Sequence, residues 1–187
     1  VGARKKHGVR LGYTIDVLVK GREDKILKMA PCPNAAVASD YTYAVPQPAR
    51  LPEQRPIVAG FGPAGMFAAL VLARAGARPI LLERGRDTTA RQRDVETFWR
   101  TGVLDPESNV QFGEGGAGAF SDGKLNTGTK DLRHRWNLEQ LVSCGAPESI
   151  LIDARPHVGT DKLHIALKNL RQRLLDLGAD IRFGHRL

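Results

Sequence analysis

The sequence has few of the residues that mark several protein classes. It contains two cysteines in 187 residues, Cys32 and Cys144, and they form no C-x-x-C or C-x4-C pair. This spacing argues against a redox-active disulfide and against a zinc site, so we predict no metal centre. Two unpaired thiols are typical of a reducing compartment, and we therefore expect a cytoplasmic protein.

Long apolar runs and aromatic side chains are also scarce. No apolar run approaches the roughly 18 residues of a membrane helix, so we predict no membrane span. Aromatic residues make up 6% of the chain, and none lies in the basic runs at residues 4–7 and 84–93. The net charge of +8 therefore lacks the interleaved aromatics of a nucleic-acid surface. We interpret the basic runs as a solvated face that also attracts an anionic dinucleotide, and we expect no nucleic-acid partner.

The most informative segment contains two short apolar runs joined by a glycine-rich turn and a helical pattern. The runs at residues 57–59 and 79–82 predict two strands. Between them the glycines follow the G-x-G-x-x-G spacing of a dinucleotide-binding turn, at positions Gly60, Gly62 and Gly65. The helix is predicted to begin near Pro63, where its free N–H groups would face phosphates.

Glu83 closes the second of these strands. An acid at this position would accept hydrogen bonds from both ribose hydroxyls of an adenosine, which indicates FAD or NAD rather than NADP. The strand, turn, helix, strand and acid together make dinucleotide binding the preferred interpretation.

A second glycine-rich segment covers residues 110–125 and contains five glycines, Gly113, Gly115, Gly116, Gly118 and Gly123. Such a backbone can pass close to a ligand and offer main-chain N–H groups to an anion. Ser121, Asp122 and Lys124 would add directed polar contacts. The alternative interpretation is a flexible surface loop.

These motifs resemble those of a known family. Residues 98–118 read FWRTGVLDPESNVQFGEGGAG, and together with the LERG motif at residues 82–85 they are similar to bacterial NAD(P)/FAD-dependent oxidoreductases, often described as uncharacterised FAD-dependent dehydrogenases. The resemblance implies FAD as cofactor, with its ADP half held by Gly60, Gly62, Gly65 and Glu83. Residues 115–124 would lie against the pyrophosphate, the ribityl chain or the flavin ring. The full set of cofactor-binding candidates is Gly60, Gly62, Pro63, Ala64, Gly65, Glu83, Arg84, Gly115, Gly116, Ala117, Ser121, Asp122 and Lys124.

The predicted fold class is α/β, with a Rossmann-like FAD-binding domain preceded by a small α/β accessory module. We expect the accessory module at residues 1–45, a proline-rich linker at 46–56 and the FAD-binding domain at 57–187. Members of the family are several hundred residues long, so the chain is interpreted as an N-terminal fragment whose FAD-binding domain is incomplete. Alternating apolar residues predict a half-buried strand at residues 9–19 and an antiparallel partner at 25–29.

Three further helices are predicted in the larger domain. One begins at Asp87 or Thr88 and ends near Arg100, one covers residues 132–144, and one is capped by Thr160. On the first of these, we expect Trp99 to be a core residue rather than a flavin-stacking one.

The preferred function is the FAD-binding N-terminal portion of a flavin-dependent oxidoreductase acting on a small-molecule substrate. Hydride chemistry would belong to the flavin, and NAD(P)H is a candidate electron donor or acceptor. Lys124 would place positive charge near the reduced flavin, but no catalytic residue is identified, and we expect the fragment alone to be inactive. We interpret His134, His157 and His164 as structural or exposed. Two alternatives stay open, a portion of an NAD-binding dehydrogenase and a non-catalytic truncated nucleotide-binding module.

Overall fold

A computed structural model describes residues 2–4, 8–10, 12–29, 32–38, 42–121, 123–125, 131, 133–153 and 155–187. The chain divides into two compact units, Val1–Tyr41 and Thr42–Leu187. In the described part of the chain, no helix is both long enough and apolar enough to cross a membrane.

The described residues of the first unit contain a small hairpin and one helix. Strand β1 (Gly2–Arg4) pairs antiparallel with β2 (Gly8–Arg10), and helix α1 comprises Glu23–Met29. The prediction of a strand at residues 25–29 is therefore wrong. Glu23 and Asp24 lie in the first turn and Lys28 in the last, an arrangement that favours a helix through its macrodipole.

The predicted half-buried strand at residues 9–19 is also wrong at residues 12–19, while residue 11 lies outside the described residues. Residues 12–19 form no helix or strand, and most of their side chains are exposed, with Leu18 at 99%. Alternating apolar residues make a segment suitable for a sheet, but a strand also needs a neighbouring strand to pair with its backbone N–H and C=O groups. Within the described residues of this unit, no strand pairs with residues 12–19.

The second unit is a mixed α/β structure around a parallel three-stranded sheet. Its strands are β3 (Ile57–Ala59), β4 (Ile80–Glu83) and β5 (Asp180–Phe183), and their spatial order is β3-β4-β5. The register places Val58 beside Leu81 and Leu81 beside Ile181. The α/β class and the first two predicted strands of this unit are confirmed.

The described residues of this unit contain four α-helices. They are α2 (Pro63–Arg74), α3 (Thr88–Thr101), α4 (Arg133–Ser143) and α5 (Thr160–Asp176). Helix α2 connects β3 to β4 and α5 leads into β5, which is the crossover pattern that parallel strands require. The core between sheet and helices includes Leu70, Leu81 and Leu170, each fully buried. Burial of one such side chain contributes about 1.5–3 kcal/mol.

Two expectations about these helices are wrong. Trp99 is 66% exposed, because Val95 and Phe98 occupy the inward positions of α3 and the next residue along the helix turns toward solvent. Thr160 is the first residue of α5 rather than its cap; the N-cap is Gly159, and no side chain accepts a hydrogen bond there. Asp87, in contrast, caps α3 by accepting from the N–H groups of residues 89 and 90.

Candidate functional site

The turn after β3 brings the first glycine motif to the carboxyl end of the sheet. A Cβ at Gly65 would collide with the carbonyl oxygen of Gly60, so a glycine is needed for α2 to pack this closely on the strand end. Helix α2 has no side-chain cap, and Pro63 and Ala64 at its start are exposed. The N–H groups of Ala64 and Gly65 lie in the first turn, where no intrahelical acceptor exists. This helix end can therefore donate to an anion.

Glu83 connects the strands to both glycine motifs through its carboxylate. Oε2 accepts from the N–H of Phe61 at 2.7 Å, and Oε1 accepts from the N–H groups of Gly85 at 2.9 Å and Gly113 at 3.0 Å. The residue is only 4% exposed. A carboxylate offers about four acceptor positions, so roughly one, on Oε2, stays open to a further donor.

The second glycine segment packs directly against the first. The N–H of Gly115 donates to the carbonyl of Phe61 at 2.8 Å. Gly116 has a φ of +63°, and a Cβ there would lie 3.2 Å from the Cα of Gly62. A side chain at residue 116 would therefore be strained and would enter the space between the two glycine runs.

Residues on either side of this glycine contact line two cavities. The first, which we call the Glu83 cleft, has a volume of about 380 Å³ and is lined by Gly62, Glu83 and Gly116 among others. The second, the Lys124 chamber, has a volume of about 450 Å³ and is lined by Gly115, Lys124 and mainly apolar side chains. Gly62 and Gly116 line the cleft, and their chain neighbours Pro63 and Gly115 line the chamber. One extended ligand could therefore occupy both across the N-terminus of α2.

Arg84 forms one wall of the Glu83 cleft. Its guanidinium lies 3.8 Å from the ring centre of Phe112, and its Nε donates to Glu107 at 2.8 Å. Arg86, two residues further along the chain, pairs with Asp94 at 2.8 Å and does not line this cleft. The structure therefore brings Arg84 to the cleft and holds Arg86 away from it.

The polar residues predicted to bind the cofactor in the second glycine segment do not all line a cavity. Lys124 lines the chamber, and its backbone forms an isolated bridge with His157. The hydroxyl of Ser121 donates to the carbonyl of Gly118 at 2.9 Å, within its own turn, and Ala117 is exposed at the start of a short 3-10 helix, Ala117–Phe120. Asp122 lies outside the described residues.

The histidines differ in their surroundings. His164 Nε2 is 2.9 Å from the carbonyl oxygen of Ala119, which gives it a structural role in the 3-10 helix. His134 lines the Lys124 chamber, and His157 is exposed. No group of three or more His, Cys, Asp or Glu side chains within the described ranges could hold a metal ion.

Two buried charged residues, Arg91 and Glu114, are not among the residues predicted from the sequence, and each is 0% exposed. The interpretation of residues 84–93 as a solvated face is wrong at Arg91. Helical spacing is the sequence signal for the burial of Arg91, because Thr88, Arg91 and Val95 recur at steps of three and four and all three are buried. Burial lowers the pKa of Arg91 to about 10, and the carboxylates of Glu83 and Glu114 oppose this shift. The group is therefore charged at neutral pH.

A glycine-lined cleft beside the carboxyl ends of parallel strands is typical of nucleotide-binding α/β proteins. A family model described as an FAD binding domain matches residues 54–161, more than half of the chain and both glycine segments. The chain therefore belongs to this FAD-binding-domain family.

The chain is also similar to a longer protein. It is 42% identical, over 194 aligned positions, to an uncharacterised protein of Clostridium beijerinckii. The alignment covers all of this chain and 35% of that relative, so the chain spans about a third of its length.

Proposed function

We propose that this chain is the FAD-binding part of a larger flavin-dependent oxidoreductase, with a Rossmann-like domain from residue 57 onward. The observation that carries the proposal is the pair of cavities whose linings divide neighbouring residues of the two glycine motifs between them. FAD has two unequal halves joined by a pyrophosphate, and this arrangement offers a polar cleft, a glycine-lined passage and an apolar chamber in that order. The match of the FAD binding domain model to residues 54–161 supports the same cofactor.

The adenosine half would occupy the Glu83 cleft. The open acceptor position on Glu83 suits one ribose hydroxyl, rather than the two expected from the sequence alone. Arg84, whose guanidinium lies over the ring of Phe112, offers a planar cation against which an adenine ring can stack. A 2′-phosphate would face the Glu83 carboxylate, which disfavours NADP at this site.

The pyrophosphate would lie over Gly62 and Gly116. The first-turn N–H groups of α2 provide donors and the positive end of the helix dipole. The absence of Cβ atoms on both glycines lets the main chain approach the phosphates closely. The residues present therefore fit the group.

The flavin half would occupy the Lys124 chamber, in which apolar side chains such as Met66, Leu138 and Leu167 supply a surface for the ring. When bound, FAD supplies hydride or single-electron transfer. Lys124 would hold positive charge beside the ring and so favour its reduced form. We propose NAD(P)H as the electron partner and a small molecule as the substrate. The proposed domain division also keeps an accessory module at residues 1–45 and a linker at residues 46–56.

The test is the visible spectrum of the purified full-length protein, measured beside the isolated 187-residue chain. We expect the absorption bands of bound oxidised flavin in the full-length protein. Gly62→Val should abolish flavin retention, because its branched side chain would project toward the passage beside Gly116. Gly12→Val is the matched control, since no atom lies within 4 Å of a Cβ built at Gly12.

The other outcomes separate the alternatives. Absence of flavin together with saturable NAD binding would favour an NAD-dependent dehydrogenase. Absence of both would favour a non-catalytic module. Equal flavin content in Gly62→Val and the control would contradict the assigned cleft.

A separate measurement tests the role of Lys124. A redox titration of Lys124→Met should give a lower flavin midpoint potential than the wild type, because removal of the positive charge disfavours the more negative reduced form. An unchanged midpoint would remove Lys124 from the surroundings of the ring.

A further inference from the structure

We propose that Arg91 and Glu114 are positioning residues that hold the second glycine segment in the shape which builds the cofactor site. Neither side chain lines the Glu83 cleft or the Lys124 chamber, so they would act through the segment rather than by touching the cofactor. This inference rests on the FAD-binding function proposed above.

Arg91 reaches from α3 into the inside of the segment. Its guanidinium donates to four carbonyl oxygens, at 2.8, 3.0, 3.3 and 2.7 Å, which belong to Asn109, Val110, Gly113 and Glu114 respectively. It also lies 4.7 Å from the ring centre of Phe120, in the 3-10 helix of the same segment. A guanidinium group can bind several carbonyl oxygens at once because its N–H donors lie in one plane and point in fixed directions. A lysine ammonium cannot reproduce this arrangement.

Glu114 anchors the same segment to two helices. Its Oε2 accepts from the N–H of Thr88 at 2.7 Å, from the Thr88 hydroxyl, and from Arg171 of α5 at 2.8 Å. Its own N–H donates to the carbonyl of Arg86 at 3.0 Å. Oε1 is buried and has no hydrogen-bond partner in the part of the chain that the structure describes. A fully buried carboxylate with one unsatisfied oxygen is costly, which makes a purely stabilising role a poor explanation for it.

The network and the site share the same backbone. Gly113 and Gly115, on either side of Glu114, donate to Glu83 and to the carbonyl of Phe61 at the cofactor cleft. A Cβ at Gly113 would collide with the Arg91 side chain, so the two are in close contact. The segment is thus held by Arg91 and Glu114 on one side and by the first glycine motif on the other. A displacement of residues 113–115 away from the first glycine motif would therefore break buried charged contacts.

The experiment compares Arg91→Lys with Arg93→Lys in the full-length protein. Arg93 is exposed on the same helix, so it controls for the substitution itself. The FAD dissociation constant of the apoprotein is measured by quenching of flavin fluorescence, at a temperature where circular dichroism shows each variant to be folded. Amide hydrogen exchange of residues 109–118 is measured in the same samples. We expect Arg91→Lys to weaken FAD binding about tenfold or more and to accelerate exchange in this segment while β3 and β4 stay protected.

Glu114→Gln provides a second variant if Arg91→Lys does not fold. The amide oxygen can still accept from Thr88, but the charge opposite Arg171 is lost, so a smaller weakening with the same local exchange pattern is expected. FAD affinity equal to that of the control would overturn the inference, as would faster exchange spread over the whole domain. Failure of the wild type itself to bind FAD would overturn the proposed function, and with it the positioning role of Arg91 and Glu114.

Discussion

The sharpest prediction concerns the Glu83 carboxylate, which holds three backbone N–H groups at once. A glutamine at this position has one carbonyl oxygen and therefore about two acceptor positions. It can keep the bonds to Gly85 and Gly113, but its NH2 group would then face the N–H of Phe61. Glu83→Gln thus replaces a 2.7 Å charge-assisted hydrogen bond with two opposed donors in a buried position.

The magnitude follows from the lost bond. A hydrogen bond to a charged group contributes about 1.5–3 kcal/mol, and a buried unsatisfied donor costs about 1–3 kcal/mol. Both energies describe the loss of the same hydrogen bond and are therefore not summed. We expect a loss of about 3 kcal/mol in the free energy of unfolding. For a domain of this size, the corresponding fall in melting temperature is roughly 6 to 12 °C.

The assay is thermal unfolding of the apoprotein followed by far-UV circular dichroism. The matched control is Glu96→Gln on the exposed side of α3, where the carboxylate accepts only from the side chain of Gln92 at 3.0 Å among the described residues. We expect this control to change stability by less than about 0.5 kcal/mol. Equal melting temperatures for the two variants would refute the reasoning. A confirmed difference would mean that loss of FAD from Glu83 variants does not by itself demonstrate a ribose contact.

Three further predictions concern stability and reactivity. Gly65→Ala should destabilise the protein strongly because its Cβ collides with a backbone carbonyl, whereas Gly118→Ala, with no atom within 4 Å of its Cβ, should melt like the wild type. Denaturant titration should show that Asp87→Ala costs about 1 kcal/mol through loss of a helix cap and that Thr160→Ala costs much less; equal losses would contradict the cap assignment. Burial raises the pKa of the Cys144 thiol, so it should resist alkylation at neutral pH until the protein unfolds, whereas the other, exposed cysteine reacts at once. Rapid alkylation of both thiols would contradict the burial of Cys144.

Local patterns were enough to predict much of the larger unit. The strand at Ile57–Ala59, the helix from Pro63 and the three later helices followed from apolar periodicity, glycines and prolines, because these signals act over a few residues. The same reasoning failed at residues 12–19 and 25–29, where the existence of a strand depends on a partner from any part of the chain. It also failed at Trp99, since the inward side of α3 includes Val95 and Phe98 but not the residue after them, and which edge of a helix faces the core depends on tertiary packing.

The sequence by itself determined that a glycine turn, a helix and an acid would meet at the end of a strand, because their spacing is set by backbone geometry. Only the tertiary structure decided what lies opposite them. In the tertiary structure, Gly116 lies against Gly62, and Glu83 accepts hydrogen bonds from three backbone N–H groups. Arg91 and Glu114 are buried and form hydrogen bonds that anchor the second glycine segment. These contacts join residues up to 57 positions apart, as between Glu114 and Arg171. Such pairings depend on how elements pack in space, which local spacing does not specify.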